Sequence, residues 1–148
     1  MSRSEIEAAE KYFNKGYNCA QALLAAFGPG LGLDRANAVK VAGAFGSGMG
    51  TGDTCGAVTG ALMVLGLKHS RTIAGFLMSR ERTDEAALEF VARFNARNSS
   101  TICRGLLGCN VNSSEGAAEA KKAGHFKKRC PQFVRDAAEI LDEMLGSE

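Results

Sequence analysis

The chain has 148 residues, 45% of them hydrophobic and 23% charged, which is enough for one domain with a buried core and requires no disulfide framework. Its net charge of +2 gives no general attraction to polyanions or acidic surfaces, so neither nucleic acid nor a membrane is an expected partner. The start of the chain lacks an apolar signal segment, and no apolar run approaches the roughly 20 residues of a membrane span, which predicts a cytoplasmic protein.

Three helical patterns occupy the first part of the chain. Apolar residues at helical spacing predict a first helix over residues 4–15 and a second helix, Cys19–Phe27, with Asn18 as its N-cap. Asp34 is predicted to start a third helix that runs to a glycine-rich loop, with Val41 among its inward-facing residues. The second of these helices begins with a cysteine.

The glycine-rich loop leads into an apolar segment with Cys55 at the junction. Asp53 or Thr54 is the predicted N-cap of the helix that follows. Apolar residues go nearly all the way round the helical period of this segment, so it is expected to be a central, buried helix. Gly56 and Gly60 lie four residues apart on one face, where the missing side chains allow another backbone to come close.

The second half of the chain predicts further helices. Residues 71–97 predict either one long helix or two collinear helices, and the pattern leaves both open. A short helix is expected to begin near Cys103, and an alanine-rich helix to end near Gly124. Pro131 occupies the favoured first position of a final amphipathic helix, which puts Cys130 at its N-cap.

The fold class that follows from these patterns is all-α, because strand-like alternation is absent from the sequence. We expect a compact bundle of six to eight helices. No linker is long enough to divide the chain, so residues 1–148 are predicted to form a single domain. A homo-oligomer is compatible with the pattern.

Four of the five cysteines fall at the starts of predicted helices, where unpaired N–H groups and the helix dipole lower the pKa of a thiol. Thiolates are the nucleophiles of disulfide exchange and also the ligands of soft metals and iron–sulfur clusters, and the residues alone leave both uses open. Inert packing is the third alternative. The spacings match no thioredoxin, haem or zinc-finger motif. The four residues are Cys19, Cys55, Cys103 and Cys130. For Cys109 an ordinary core residue is the first prediction, and a resolving thiol and a substitute ligand are the alternatives.

Four short segments carry a more specific pattern: Asn18-Cys19, Cys55-Gly56-Ala57-Val58-Thr59-Gly60, Cys103-Arg104-Gly105-Leu106-Leu107-Gly108 and Cys130-Pro131-Gln132-Phe133-Val134. With this pattern the chain resembles the bacterial and archaeal C_GCAxxG_C_C family, whose members are called redox-active because of their four cysteines. A similar module precedes the haem region of split-Soret cytochromes, where its cysteines are associated with a two-iron, two-sulfur cluster. This chain has no haem-attachment motif, so the resemblance does not extend to the cytochrome role.

The resemblance implies that the four family cysteines form one site. They would act either as ligands of a metal or [2Fe-2S] cluster for electron transfer or as redox thiols that cycle between dithiol and disulfide. The ligand role is favoured, because four thiolates match the usual cluster complement. Gly56 and Gly60 of the motif are the candidate cofactor-binding glycines. No nucleotide is expected, because the glycine-rich loop lacks Gly-Lys-Ser/Thr and a preceding strand.

A basic segment directly precedes Cys130. It predicts a solvated face, a docking surface for an acidic redox partner, or a group of charges that lowers the pKa of Cys130. A hypothesis from another class is a non-enzymatic helical interaction protein, in which the cysteines only pack and the basic segment binds a partner. The basic residues are Lys121, Lys122, His125, Lys127, Lys128 and Arg129.

Overall fold

A computed structural model describes residues 3–109, 113–124 and 128–146. Within these ranges the chain forms helices and turns and contains no strand, only one isolated β-bridge. The all-α prediction is confirmed. The helices are α1 (Arg3–Asn14), α2 (Cys19–Phe27), α3 (Arg35–Val41), α4 (Gly56–His69), α5 (Phe76–Asn98), α6 (Cys103–Leu107), α7 (Ser114–Ala123) and α8 (Cys130–Gly146).

Helix α4 lies in the middle of the bundle, as its all-round apolar pattern predicts. It packs against α2, α5 and α8, while α1 packs against α2 and α8. Val58, Ala61, Val64 and Leu65 of α4 are all buried in the core. Burying a side chain of this size contributes about 1.5–3 kcal/mol in favourable cases, so the central helix is a major source of stability.

Helices α5 and α8 close the bundle on one side. The predicted apolar stripe of α8, which includes Phe133, Val134 and Ile140, is buried. Phe90 and Phe94 of α5 are fully buried, and their rings stack with centroids 6.0 Å apart. Of the two alternatives for this part of the chain, the structure has the single long helix, but the helix begins at Phe76, so residues 71–75 of the predicted range lie outside it. No helix in the described ranges combines the length and the apolar character needed to cross a bilayer.

The structure corrects the extent of the third helix. Helix α3 ends at Val41, which is 57% exposed and does not face inward as predicted. The carbonyl oxygens of Ala42 and Gly43 accept hydrogen bonds from the side-chain amide of Asn18, at 3.4 and 3.2 Å. After Val41 the backbone N–H groups of Gly43 and Phe45 donate to the carbonyls of Lys40 and Ala42, three residues earlier, so the α-helical pattern ends there.

The predicted N-caps of α4 and α8 also differ from those in the structure. Neither Asp53 nor Thr54 caps α4, because the helix begins at Gly56 and Cys55 occupies the N-cap position. The carbonyl of Asp53 instead accepts a hydrogen bond from another segment of the chain. Helix α8 begins at Cys130, one residue earlier than predicted.

Candidate functional site

Four helix starts meet at one pocket of about 120 Å³. Each start contributes one cysteine, and all of them are free thiols. Cys109 is also free but does not line the pocket. The cysteines at the pocket are Cys19 of α2, Cys55 before α4, Cys103 of α6 and Cys130 of α8. The remaining wall is mainly apolar and is formed by Phe13, Leu106, Leu107 and Phe133, with Asn18, Ser47, Gly48 and Gly56 completing it.

A capping box fixes the start of α2 and with it Cys19. The side-chain oxygen of Asn18 accepts a hydrogen bond from the N–H of Gln21 at 2.8 Å, and the side-chain oxygen of Gln21 accepts one from the N–H of Asn18 at 3.0 Å. The amide of Gln21 also donates to the carbonyl of Val39 in α3. The sequence analysis missed Gln21, although Asn-x-x-Gln is a capping-box signal.

Cys55 and Cys103 are held together by a short antiparallel contact. The N–H of Cys55 donates to the carbonyl of Thr101 at 2.8 Å, and the N–H of Cys103 donates to the carbonyl of Asp53 at 2.6 Å. The isolated bridge between Thr54 and Ile102 lies between these two bonds. Cys55 and Cys103 each follow a bridged residue directly, so their side chains point to the same face of this short antiparallel pair.

Two glycines bring neighbouring segments against these cysteines. A Cβ atom on Gly56 would lie 3.1 Å from the Cβ of Cys19, so the starts of α2 and α4 are in close contact. A Cβ atom on Gly48 would lie 2.9 Å from the Cβ of Cys103, and Gly48 also has a φ of +63° that favours glycine. Gly60, the other candidate cofactor-binding glycine, lies one turn further along α4, where it packs on α2 and does not line the pocket.

The thiols of the pocket differ in acidity. Hydrogen bonds with Cys130 and Cys55, together with burial, raise the pKa of Cys19 well above its ordinary value. The Cys19 thiol in turn lowers the pKa of Cys55; burial opposes this shift, and the N–H groups at the start of α4 support it. Burial, followed by the charges of neighbouring cysteines, raises the pKa of Cys103 to about 12. In the metal-free protein, Cys55 is therefore a more acidic thiol than Cys19 or Cys103.

The basic segment adjoins one wall of the pocket. Lys121, Lys122, Lys128 and Arg129 are exposed, while His125 and Lys127 lie outside the described residues. The guanidinium carbon of Arg129 lies 5.8 Å from the centre of the Phe133 ring, which lines the pocket. A cation–π contact of this kind links the charged surface to the pocket wall.

Residues 17–144 match the family model described as "Putative redox-active protein (C_GCAxxG_C_C)". The chain belongs to this family. The resemblance inferred from the motifs is thereby confirmed, and the matched range of the C_GCAxxG_C_C model includes all four pocket cysteines. Neither a curated protein nor a solved structure matched the chain.

The pocket is larger than the space around a single ion. In the described residues, no group of three or more His, Cys, Asp or Glu side chains is arranged to hold a metal ion. The volume of about 120 Å³ exceeds the roughly 10–15 Å³ that one water-sized occupant requires. The four cysteines of this C_GCAxxG_C_C protein therefore line a space that a multi-atom group could fill.

Proposed function

We propose that this chain is a small redox protein that binds a [2Fe-2S] cluster, or another thiolate-bound metal group, for electron transfer. The observation that carries the proposal is that four thiols from four separate helix starts line one pocket. Four cysteine thiolates are the usual ligands of such clusters, and the pocket volume suits a multi-atom group. The ligands would be Cys19, Cys55, Cys103 and Cys130.

The surroundings of the thiols suit an anionic group. Helix starts carry partial positive charge and free N–H groups, which stabilise thiolates. The apolar wall formed by Phe13, Leu106 and Phe133 restricts water at the sulfur atoms. When bound, the cluster would accept or release one electron, while the chain's own residues hold it and exclude solvent.

The basic segment suits a docking surface for an acidic redox partner. Its described cations are exposed, and Arg129 contacts the pocket wall through Phe133. A partner bound there would lie next to Cys130, at the start of α8. The proposal also assigns the protein to the cytoplasm, where reducing conditions keep free cysteines reduced.

Anaerobic reconstitution with iron and sulfide tests the proposal. We expect about two iron and two sulfide per chain, with the visible absorption of a [2Fe-2S] centre. Single Cys→Ser variants at the four pocket positions should lose or change this spectrum. Cys109→Ser is the matched control, because Cys109 is also a free thiol but does not line the pocket. A colourless, metal-free product from the unaltered chain would reject cluster binding.

A dithiol/disulfide cycle is the second candidate function, because Cys19, Cys55 and Cys130 line the same pocket as free thiols. Oxidation of Cys19 and Cys55 would form one S–S bond and release two protons and two electrons to an oxidant such as a small disulfide. Treatment of the metal-free protein with oxidised glutathione, followed by peptide mapping, tests this reaction. A bridge that contains Cys19 would support the cycle, and four unmodified pocket thiols would reject it.

A further inference from the structure

A cluster of apolar side chains is exposed to solvent, although such side chains are normally buried in the core. Ile73, Phe76, Leu77 and Met78, here called the apolar tip, are 84%, 52%, 67% and 83% exposed. They occupy the connection between α4 and α5 and the first residues of α5. Single exposed hydrophobic residues are common, but four within six positions form a patch that suggests an interaction surface.

Cationic residues flank the apolar tip. Residues 68–82 contain four Lys or Arg and a single acidic residue, Glu81, so the segment has a net charge of +3 with His69 neutral. This exceeds the +2 of the whole chain. The positive charge of this segment does not extend to the residues that follow it in α5, because these include the acidic Asp84 and Glu85. The four cations are Lys68, Arg71, Arg80 and Arg82.

The structure places three of these cations beside the tip and not merely near it in sequence. Lys68, Arg71 and Arg82 line the same surface groove as Met78. The backbone N–H of Arg71 donates to the hydroxyl of Ser79 at 3.0 Å, which fixes the connection against the first turn of α5. Apolar and cationic side chains therefore share one surface.

We propose that the apolar tip docks on an anionic lipid surface. Projecting apolar side chains would enter the interface between headgroups and acyl chains, and the surrounding Lys and Arg residues would contact lipid phosphates. This inference does not depend on the proposed redox function, because no residue of the tip lines the four-cysteine pocket. It differs from the expectation based on total charge, which gave no reason for a membrane partner.

The charges argue against a second copy of the chain as the occupant. A two-fold contact through the tip brings the same patch of both copies together, so Lys68, Arg71 and Arg80 would face like charges. An anionic lipid surface would instead neutralise the positive charges of these residues. Ile73 and Met78 are more than 80% exposed, and a lipid interface accepts such projecting side chains without a complementary pocket.

Vesicle flotation with the metal-free full chain tests the proposal. We expect binding to vesicles of phosphatidylcholine with phosphatidylglycerol, weak binding to phosphatidylcholine alone, and loss of binding at high salt. Ile73→Ser and Leu77→Ser should each reduce the partition coefficient by roughly tenfold. Arg71→Ser should reduce it by roughly fivefold.

Leu88→Ser is the matched control. Leu88 is an apolar residue on the same helix and is 71% exposed, but its neighbours in sequence include Asp84, Glu85 and Glu89. We expect its vesicle binding to equal that of the unaltered chain, while its unfolding midpoint should fall slightly because serine has a lower helix propensity than leucine. Failure of the unaltered chain to bind anionic vesicles would overturn the proposal, as would equal losses in Leu88→Ser and Leu77→Ser. A soluble dimer that Leu77→Ser dissociates, without vesicle binding, would assign the tip to self-association.

Discussion

Gly60 of α4 lies directly against Ala20 of α2. A Cβ atom on Gly60 would stand 2.8 Å from the Cα of Ala20 and 3.0 Å from its carbonyl oxygen, so no side chain fits without moving a helix. Ala20 follows Cys19, and Gly60 lies one turn after Gly56 at the pocket. This contact between backbones therefore helps to set how closely the helices that carry Cys19 and Cys55 approach each other.

Gly60→Ala should destabilise the protein by about 1–3 kcal/mol, because the added methyl group forces α2 and α4 apart. Gly66→Ala in the same helix is the control. A Cβ atom on Gly66 meets no heavy atom within 4 Å, so this change should stabilise the helix by about 0.5–1 kcal/mol. Urea unfolding midpoints should thus move in opposite directions. Equal midpoints for the two variants would contradict the close contact.

Asn18→Ala should destabilise the protein by about 1–2 kcal/mol, because it removes both the N-cap of α2 and the links to the carbonyls of Ala42 and Gly43. Asn37→Ala is a suitable control. The side-chain amide of Asn37 donates to the carboxylate of Asp34 on the exposed surface, so its loss should change stability by less than about 0.5 kcal/mol. Urea unfolding measures both. Similar losses would show that neither the N-cap bond of Asn18 nor its bonds to Ala42 and Gly43 contribute much.

Much of the fold could be predicted because its signals are local. The N-cap Asn18 and the start of α2 at Cys19 depend on neighbouring residues, as does the end of α6 at Gly108. The placement of four cysteines at helix starts also follows from these local signals. The burial of α4 could be predicted, because apolar residues occur on all sides of this helix.

The remaining features depend on contacts between distant segments. The segment that follows α3 is held by the amide of Asn18, which lies 24 residues from its acceptor Ala42. The bridge between Thr54 and Ile102 joins segments that are still further apart and have no alternating pattern. Periodicity also cannot tell whether another element covers an apolar residue, which is why Ile73 is exposed although it fits a helical pattern.

Arg97→Ala should destabilise the protein by about 1 kcal/mol. Arg97 in α5 donates to Glu139 at 2.9 Å and to Asp136 at 3.5 Å in α8, and the carboxylate of Asp136 is mostly buried. Its removal leaves Asp136 with the amide of Gln132 as its hydrogen-bond donor in the described contacts. The exposed part of Arg97 is screened by solvent, which limits the effect.

Arg93→Ala is the control for this prediction. Arg93 also joins α5 to α8, through Glu143, but both partners are largely exposed. We expect a change below about 0.5 kcal/mol. Thermal or urea unfolding distinguishes the variants, and an equal loss for Arg93→Ala would show that burial of the Asp136 carboxylate does not matter.

Alkylation of the metal-free, reduced protein should modify Cys55 before Cys103. Their exposed fractions are nearly equal, 5% and 7%, so acidity and not access should decide the rate. The pKa of Cys55 is lowered, and that of Cys103 is raised to about 12. The thiolate is the reactive form. The rate of iodoacetamide labelling should therefore rise at a lower pH for Cys55 than for Cys103. Labelling of Cys103 should stay slow until the pH approaches 12.

Cys19→Ala tests the cause of this difference. The Cys19 thiol is the largest contribution that lowers the pKa of Cys55, so its removal should shift the labelling profile of Cys55 to higher pH. Cys109→Ala removes a thiol that does not line the pocket and should leave the Cys55 profile in place. Mass spectrometry of labelled peptides across a pH series measures each site separately. If the pH dependence of Cys55 labelling were unchanged in Cys19→Ala, the Cys19 thiol would not stabilise the Cys55 thiolate.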